Sequence, residues 1–147
     1  MIPPHEFIFK KGIWIGEGKI TFSVSPDHLH FYTKWMIDPM VTTVIRSQQL
    51  VEMEGRAENL FNQFNFSHIT EKDFQIQLSS ELLGSVTGKG IVDKRTIAWE
   101  FRGYPDFEGF EVYELEDNGD YMLHAEYSST EQFRTIIDGR IWKKAEK

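Results

Sequence analysis

The 147-residue chain contains no cysteine. Disulfide frameworks, thiolate zinc sites and cysteine nucleophiles are therefore excluded. Long apolar runs are also missing, since no stretch approaches the roughly 18 residues that a membrane-spanning helix needs. Residues 1–11, MIPPHEFIFKK, lack the apolar core of a signal peptide. We expect a protein of the cytoplasm with no membrane partner.

Positive charge is scarce. The 16 Lys and Arg residues are outnumbered by 23 Asp and Glu residues, which gives a net charge of -7, and the basic residues are scattered along the chain. Nucleic acids and anionic membranes are bound by concentrated positive charge. Nucleic acid is therefore not an expected partner, and the sequence leaves the oligomeric state open.

The chain is rich in stretches where apolar and polar residues alternate. Apolar residues recur at every second position almost throughout, with turn residues about every ten positions, and this pattern is typical of an all-β sandwich or barrel. The length suits one domain over residues 1–147, with 1–11 as a lead-in segment. A helical turn is an alternative at the end of 71–83. The predicted strands cover about 12–25, 28–37, 41–54, 58–68, 73–79, 84–92, 96–103, 107–116, 120–128 and 133–142.

Glycines stand at unusual places in the first predicted strand, GIWIGEGKITFSV, from residue 12 to residue 24. A tight hairpin at SPDH, residues 25–28, sets Gly18 opposite Trp35, so we expect the indole to fill the space above the glycine. The stretch GKGIVDKRTIAWEF repeats this pairing of glycine with an aromatic residue. Closing the hairpin around DKRT sets Gly90 opposite Trp99 and Gly88 opposite Phe101.

Glycines at such positions let a sheet bend sharply enough to close on itself. The sequence therefore predicts a single closed or nearly closed antiparallel up-and-down barrel of about eight to ten strands.

The residues Gly12-Ile13-Trp14 open this series of strands. They resemble the Gly-x-Trp signature of the calycin superfamily, which includes lipocalins, avidins, fatty-acid-binding proteins and nitrobindin-like haem proteins. The resemblance implies a lipocalin-like barrel that holds a small, mostly apolar molecule. It also implies that Trp14 closes one end of the barrel beneath a basic residue of the last strand, and Arg140 in DGRIWKK is the matching residue.

The last strand, FRTIIDGRIW, has one uncharged face, which we expect to point inward. That face carries Phe133, Thr135, Ile137, Gly139 and Ile141. Arg140 lies on the other face, so it can meet Trp14 only at the end of the barrel.

The expected lining of the barrel is aromatic with a few polar positions. Three polar residues fall on otherwise apolar faces in IRSQQLVEM and NLFNQFNF, and a buried polar side chain must find a partner, which a ligand or a water molecule can supply. The candidate ligand-binding residues are Phe22, Phe31, Trp35, Ser47, Gln49, Asn62, Phe64 and Trp99.

The histidines do not predict a metal or haem site. His28 and His30 share one face beside a turn but have only Asp27 nearby as a third ligand, so an exposed pair is expected. A nitrobindin-like haem site needs a histidine that faces the interior. His68 and His124 are the histidines inside predicted strands, and His124 lies on the more polar face of its strand. Haem is therefore not expected, and the cofactor stays unknown.

The stretch 107–128 predicts a hairpin whose turn is EDNGD. Asn118 and Gly119 tolerate positive φ and form the centre of a tight two-residue turn. The more apolar face of this hairpin is expected inward, and it carries Phe110, Val112, Glu114, Leu123, Ala125 and Tyr127. The more polar face, expected in water, carries Glu111, Tyr113, Leu115, Met122, His124 and Glu126.

The alternative is that the polar face points inward. Glu111 then lies opposite Glu126, and Tyr113 lies opposite His124. Two facing carboxylates in a low-dielectric cavity share a proton near neutral pH and can serve as acid and base. The candidate catalytic residues are therefore Glu111, Tyr113, His124 and Glu126.

Three functions follow from this reading. Binding of a small apolar or amphipathic molecule is favoured. A small isomerase, lyase or hydrolase that uses the polar face is the alternative, and a filled barrel that serves as a protein-interaction module is the third.

Overall fold

The chain forms a closed barrel of ten antiparallel strands in a computed structural model that describes residues 4–23, 27–55, 57, 59–81, 84–105, 107–129 and 134–145. Each strand pairs with its neighbours in sequence, and the last strand pairs with the first. The strands are β1 Gly12–Phe22, β2 His28–Ile37, β3 Ile45–Met53, β4 Leu60–Ser67, β5 Asp73–Ser80, β6 Gly84–Val92, β7 Thr96–Tyr104, β8 Phe107–Leu115, β9 Tyr121–Ser128 and β10 Arg134–Lys143.

This architecture confirms the predicted fold class, because a two-residue period places one face of every strand on a common core. In the stretch 71–83, for which a helical turn was the alternative, the structure has the strand β5 over Asp73–Ser80. Residues 82–83 of that stretch lie outside the described residues. Among the described residues no helix has the length and apolar character to cross a membrane.

The register of the first hairpin differs from the prediction. Trp35 lies opposite Trp14, and Gly18 lies opposite Phe31. The connection between β1 and β2 spans residues 23–27 and is longer than the tight turn assumed, which slides the strands past each other. Val24 and the turn residues 25–26 lie outside the described residues. The β6–β7 register is confirmed, since Gly90 lies opposite Trp99.

The glycines nevertheless make room, although for other neighbours than expected. Gly18 lies directly opposite Gly139 of β10, and a Cβ atom on Gly18 would overlap the carbonyl oxygen of Asp138. A Cβ atom on Gly90 would overlap the ring of Phe74 rather than Trp99. Gly18 thus lets the strands that close the barrel approach each other, and Gly90 leaves room for the ring of Phe74.

The lead-in segment folds into the barrel as a plug, here called the N-terminal plug (residues 4–11). Phe7 is fully buried, and its ring centroid lies 5.4 Å from that of Trp14 and 5.3 Å from that of Trp35. His5 is buried beside it, with Nδ1 at 2.7 Å from the Tyr121 hydroxyl and Nε2 at 2.7 Å from the carbonyl oxygen of Asp93. One end of the barrel is therefore closed by the chain itself; the opposite end, where β8 begins, is called the far end.

The predicted closure pair is wrong. Trp14 faces inward and packs edge-on against Phe7 and Tyr121. Arg140 lies opposite Glu17 on the outer surface, where its guanidinium pairs with Asp120 and lies 3.8 Å from Glu116. Aromatic rings therefore cover Trp14, whereas Arg140 projects from the other face of the sheet. The predicted inward face of β10 does reach the core through Ile137 and Ile141, and Phe133 lies outside the described residues.

Candidate functional site

A three-residue loop sets the register of the β8–β9 hairpin. Gly119 has a φ of 93°, and its N–H donates to the carbonyl oxygen of Glu116 at 3.0 Å. Glu116 therefore lies opposite Asp120, with residues 117–119 as the loop. Such loops combine a type I turn with a left-handed residue, whereas the sequence had suggested a two-residue turn.

This loop turns β8 relative to the prediction. Because one residue of slip exchanges the two faces of a strand, Glu111 lies opposite Ala125 and Tyr113 opposite Leu123. The expected inward face of β9 is correct, while the expected inward face of β8, with Phe110, Val112 and Glu114, is wrong. The facing pairs Glu111–Glu126 and Tyr113–His124 do not form, since Glu126 and His124 point outward.

Glu111 forms the centre of a cluster inside the barrel, here called the Glu111 site (Trp99, Glu111, Tyr113 and Tyr127). The Tyr113 hydroxyl donates to Oε1 of Glu111 at 2.6 Å, and the Tyr127 hydroxyl donates to Oε2. Glu111 as a residue keeps some exposure to solvent, but its carboxyl group is surrounded by protein atoms. The prediction that Glu111 lies in water is therefore wrong.

Burial changes the acidity of all three oxygen-bearing residues. Burial raises the pKa of Glu111 above its ordinary value of 4.5, and the hydrogen bonds from Tyr113 and Tyr127 oppose this rise without cancelling it. Burial and the neighbouring Glu111 carboxylate raise the pKa of Tyr113 and Tyr127 well above 10.0. Both hydroxyls therefore keep their protons and act as donors.

Trp99 completes the Glu111 site. Its ring centroid lies 5.0 Å from that of Tyr113. Its indole N–H is near enough to lower the pKa of both Glu111 and Tyr127, yet it meets neither oxygen in hydrogen-bond geometry and has no partner. A donor on a side chain only 2% exposed is thus left without an acceptor.

A second polar group lies on β2, β3 and β4. The amide nitrogen of Gln49 donates to the Thr33 hydroxyl at 3.1 Å, and that of Asn62 donates to the Gln49 carbonyl oxygen at 3.0 Å. We call these three residues the amide row. Ser47 is buried and donates to the main-chain oxygen of Met36 at 3.3 Å, so its hydroxyl is already partnered. The sequence analysis missed Thr33, although it stands between Phe31 and Trp35 at the spacing of an inward-facing residue.

The predicted aromatic lining faces the interior. Phe31, Trp35, Phe64 and Trp99 are buried, and Phe22 is partly buried and packs against the core. The Trp35 ring lies 4.8 Å from Phe64 and 6.2 Å from Trp99, centroid to centroid. The Trp35 indole N–H, like that of Trp99, has no hydrogen-bond partner.

The remaining catalytic candidates lie on the outer surface. His124 Nδ1 is 2.6 Å from Asp138, and its Nε2 is 2.9 Å from Glu126, which also pairs with Arg134. This is a solvated ion network on the opposite side of the sheet from Glu111.

His28, His30 and His68 also lie outside the barrel, whereas His5 is buried in the N-terminal plug. His68 is exposed and follows β4 rather than lying within it. His30 Nε2 lies 3.8 Å from Glu17. In the part of the chain that the structure describes, no group of three His, Cys, Asp or Glu residues is arranged to hold a metal ion.

Comparison with known proteins identifies a relative in fold. No family model matches the chain, and no curated protein is significantly similar to it in sequence. Among solved structures, the S-type phycobiliprotein lyase CPES from Guillardia theta matches with a TM-score of 0.73, over 93% of this chain and 89% of that chain. The two sequences are 9% identical, so the likeness shows the fold alone. Membership of the calycin superfamily stays a prediction.

Proposed function

We propose that the barrel binds a small apolar or amphipathic molecule in its interior. The observation that carries this proposal is the pair of buried indole N–H groups, on Trp35 and Trp99, that have no acceptor. A buried donor without a partner costs about 1–3 kcal/mol. An acceptor atom on a ligand would recover that cost, whereas a barrel filled only for stability gains nothing from leaving both donors unpaired.

The surroundings of these donors define the chemistry of the ligand. The rings of Phe31, Phe64 and Tyr113 supply apolar walls, and flat unsaturated molecules fit between such rings. Polar contacts come from two sides, with the Glu111 site on β7–β9 and the amide row on β2–β4. An amphipathic molecule with an aromatic body and polar substituents matches this distribution.

The far end is the proposed entrance. The N-terminal plug fills the other end, while Tyr127 and Phe107 near the far end are partly exposed and stack at 4.9 Å between centroids. The resemblance in fold to a phycobiliprotein lyase supports the proposal at the level of architecture alone, because the two chains form barrels of similar shape.

Calorimetric titration with a neutral naphthyl methyl ketone tests the proposal. The ketone oxygen accepts a hydrogen bond, so Trp35→Phe and Trp99→Phe should each weaken binding by about 3- to 10-fold while keeping an aromatic ring in place. Trp142→Phe on the outer surface is the matched control and should bind like the wild type. Absence of binding by the wild type, or equal affinities in all four proteins, would overturn the proposal.

Acid–base catalysis is the second candidate function, and the buried carboxyl group of Glu111 between two hydroxyls is the observation that favours it. If the bound molecule is a substrate, Glu111→Gln should lower turnover by about 100- to 10,000-fold and change affinity little. Glu126→Gln, on the outer surface, should leave turnover unchanged. A binding protein would show no turnover in any of these forms.

A further inference from the structure

We infer that the molecule bound in the barrel carries a positively charged or readily protonated nitrogen, and that Glu111 is its counter-ion. This inference rests on the proposed function and narrows the ligand to an aromatic amine, an amidine or a basic nitrogen heterocycle. It assigns Glu111 a binding role and requires no chemical step beyond proton transfer.

The first argument is the isolation of Glu111 as a charge. Along the inward-facing positions of the ten described strands Glu111 is the one carboxyl group, and the one basic residue is Lys143, which is exposed at the rim and pairs with Glu6 at 3.6 Å. Among the described residues Glu111 forms no ion pair. An enclosed carboxylate without a cation is strongly disfavoured, so Glu111 either holds a proton or receives a cation from outside the chain.

The second argument is the set of donors around the carboxyl group. Tyr113 and Tyr127 hold one oxygen each, and the Trp99 N–H faces the same group without an acceptor. Neutral donors strengthen when the acceptor becomes ionised. These neutral donors orient the Glu111 carboxylate but do not balance its negative charge.

The third argument is the aromatic shell. The ring centroids of Trp99 and Tyr113 lie 5.0 Å apart, and Phe107 stacks on Tyr127 at the side toward the far end. Organic cations are attracted to aromatic faces, most strongly to Trp. A carboxylate within a wall of rings thus combines two kinds of attraction for one class of ligand.

The charge of the whole protein acts in the same direction. With a net charge of -7, the protein attracts cations and repels anions at long range. An anionic ligand would in addition place a second negative charge beside Glu111, with no basic group in the interior of the described strands to balance it.

The proton balance follows from the form of the ligand. If an ammonium ion binds to protonated Glu111, the O–H bond of Glu111 breaks and one proton passes to solvent. If the free amine binds, the same proton passes to the nitrogen lone pair, and none is released. Both routes end with a cation beside the Glu111 carboxylate.

Three probes of matched shape test the inference, namely naphthylmethylamine, naphthylmethanol and naphthoate. Calorimetric titration at neutral pH, in two buffers of different ionisation enthalpy, gives both affinity and the number of protons released. For the wild type we expect the amine to bind about tenfold or more tightly than the alcohol, and the naphthoate to bind most weakly. We expect up to one proton to be released with the amine and none with the alcohol.

The variant Glu111→Gln should remove both the preference for the amine and the proton release, and keep the alcohol affinity within about threefold. Glu126→Gln, a carboxylate on the outer surface, should behave like the wild type. If Glu111→Gln does not fold, Tyr127→Phe removes one donor to the carboxylate and should weaken the amine about fivefold relative to the alcohol.

The outcomes separate this inference from the proposed function. Equal binding of amine and alcohol by the wild type, or a preference for the amine that survives in Glu111→Gln, overturns the role of Glu111 while the barrel remains a binding protein. Equal losses for both probes in Tyr127→Phe count against it in the same way. If none of the three probes binds to the wild type, the proposed function fails as well.

Discussion

The two halves of the barrel interior are built differently, although the same ten strands form their walls. In the plugged half, Phe7, Trp14 and Trp35 are at most 2% exposed and pack ring against ring. Farther along the axis, Glu111 and the amide row place polar groups on inward positions, and at the far end Phe107 and Tyr127 are partly exposed. The comparison teaches that close ring packing at the plugged end gives way, along the barrel axis, to inward polar groups and partly exposed rings.

The plug accounts for this division. A barrel of about ten strands is wider than its own side chains fill, as eight strands already enclose room for a small ligand. The N-terminal plug supplies the missing apolar volume at one end. Toward the other end Phe107 and Tyr127 are partly exposed, and the indole N–H of Trp99 has no hydrogen-bond partner.

The largest expected effect is on the plugged half. Phe7→Ala should lower the free energy of unfolding by about 3–5 kcal/mol, since a fully buried ring leaves a cavity among Trp14, Trp35 and Tyr121. Phe107→Ala, at the partly exposed far end, should cost less than about 2 kcal/mol. Urea denaturation of both variants measures the difference, and equal losses would contradict the division into a closely packed end and a partly exposed end.

A second prediction concerns the glycines that bring the strands together. Gly18→Ala should cost about 1–3 kcal/mol, because the new methyl group meets the main chain of β10, which cannot move aside alone. Gly12→Ala on the same strand is the control, since its nearest atom would be Lys143 Cε at 3.5 Å, an ordinary contact. Equal denaturation midpoints for the two variants would show that the close approach of β1 and β10 is not what Gly18 provides.

The third prediction is a pH dependence that distinguishes the far half. The pKa of Glu111 is raised in the folded protein, so the folded state holds a proton that the unfolded chain has lost, and stability falls as pH rises from about 4.5 through the folded pKa. Glu111→Gln should therefore gain on the wild type over this range, while Glu126→Gln should show no such trend. Parallel stability curves for the wild type and Glu111→Gln would refute the enclosed carboxyl group.

The smallest effect is expected outside both halves. Arg140→Ala removes the surface pairs with Asp120 and Glu116 and should cost less than about 1 kcal/mol, a loss that shrinks further in high salt. The fluorescence of the buried tryptophans should stay unchanged. A large spectral shift would instead restore the contact with Trp14 that the family resemblance implied.

The fold could be predicted from the sequence because the alternation of apolar and polar residues identifies the strands even where the predicted pairing register is wrong. Ten stretches with a two-residue period specify a barrel even when individual registers are wrong, and the β6–β7 register was predicted correctly because DKRT closes as a tight turn. The β8–β9 register was not, because one extra loop residue at Asp117 decides which face of β8 is inside. Whether the loop has two or three residues depends on its backbone geometry, which the amino-acid composition of the hairpin does not reveal.

The site was predictable only in part for the same reason. Gln49 and Asn62 were found on inward faces because their own strands alternate clearly. Glu111 was assigned to water because Phe110 and Val112 make the more apolar face of β8, yet Phe110 lies outside, 36% exposed, with its ring 6.1 Å from His124. The N-terminal plug gave no periodic signal, since Phe7, Ile8 and Phe9 form a short run that packs through a turn.

The closure of β1 against β10 also has a consequence for biosynthesis. His5 and Tyr121, which meet inside the barrel, are 116 positions apart, and β10 leaves the ribosome after every other strand. Until then the edge of β1 has no partner and Phe7 has no complete pocket. Contacts this distant in sequence form slowly, and an unpaired strand edge invites pairing with other chains. The nascent protein is therefore most vulnerable to aggregation just before its last strand is released, and chaperones have most to protect at that stage.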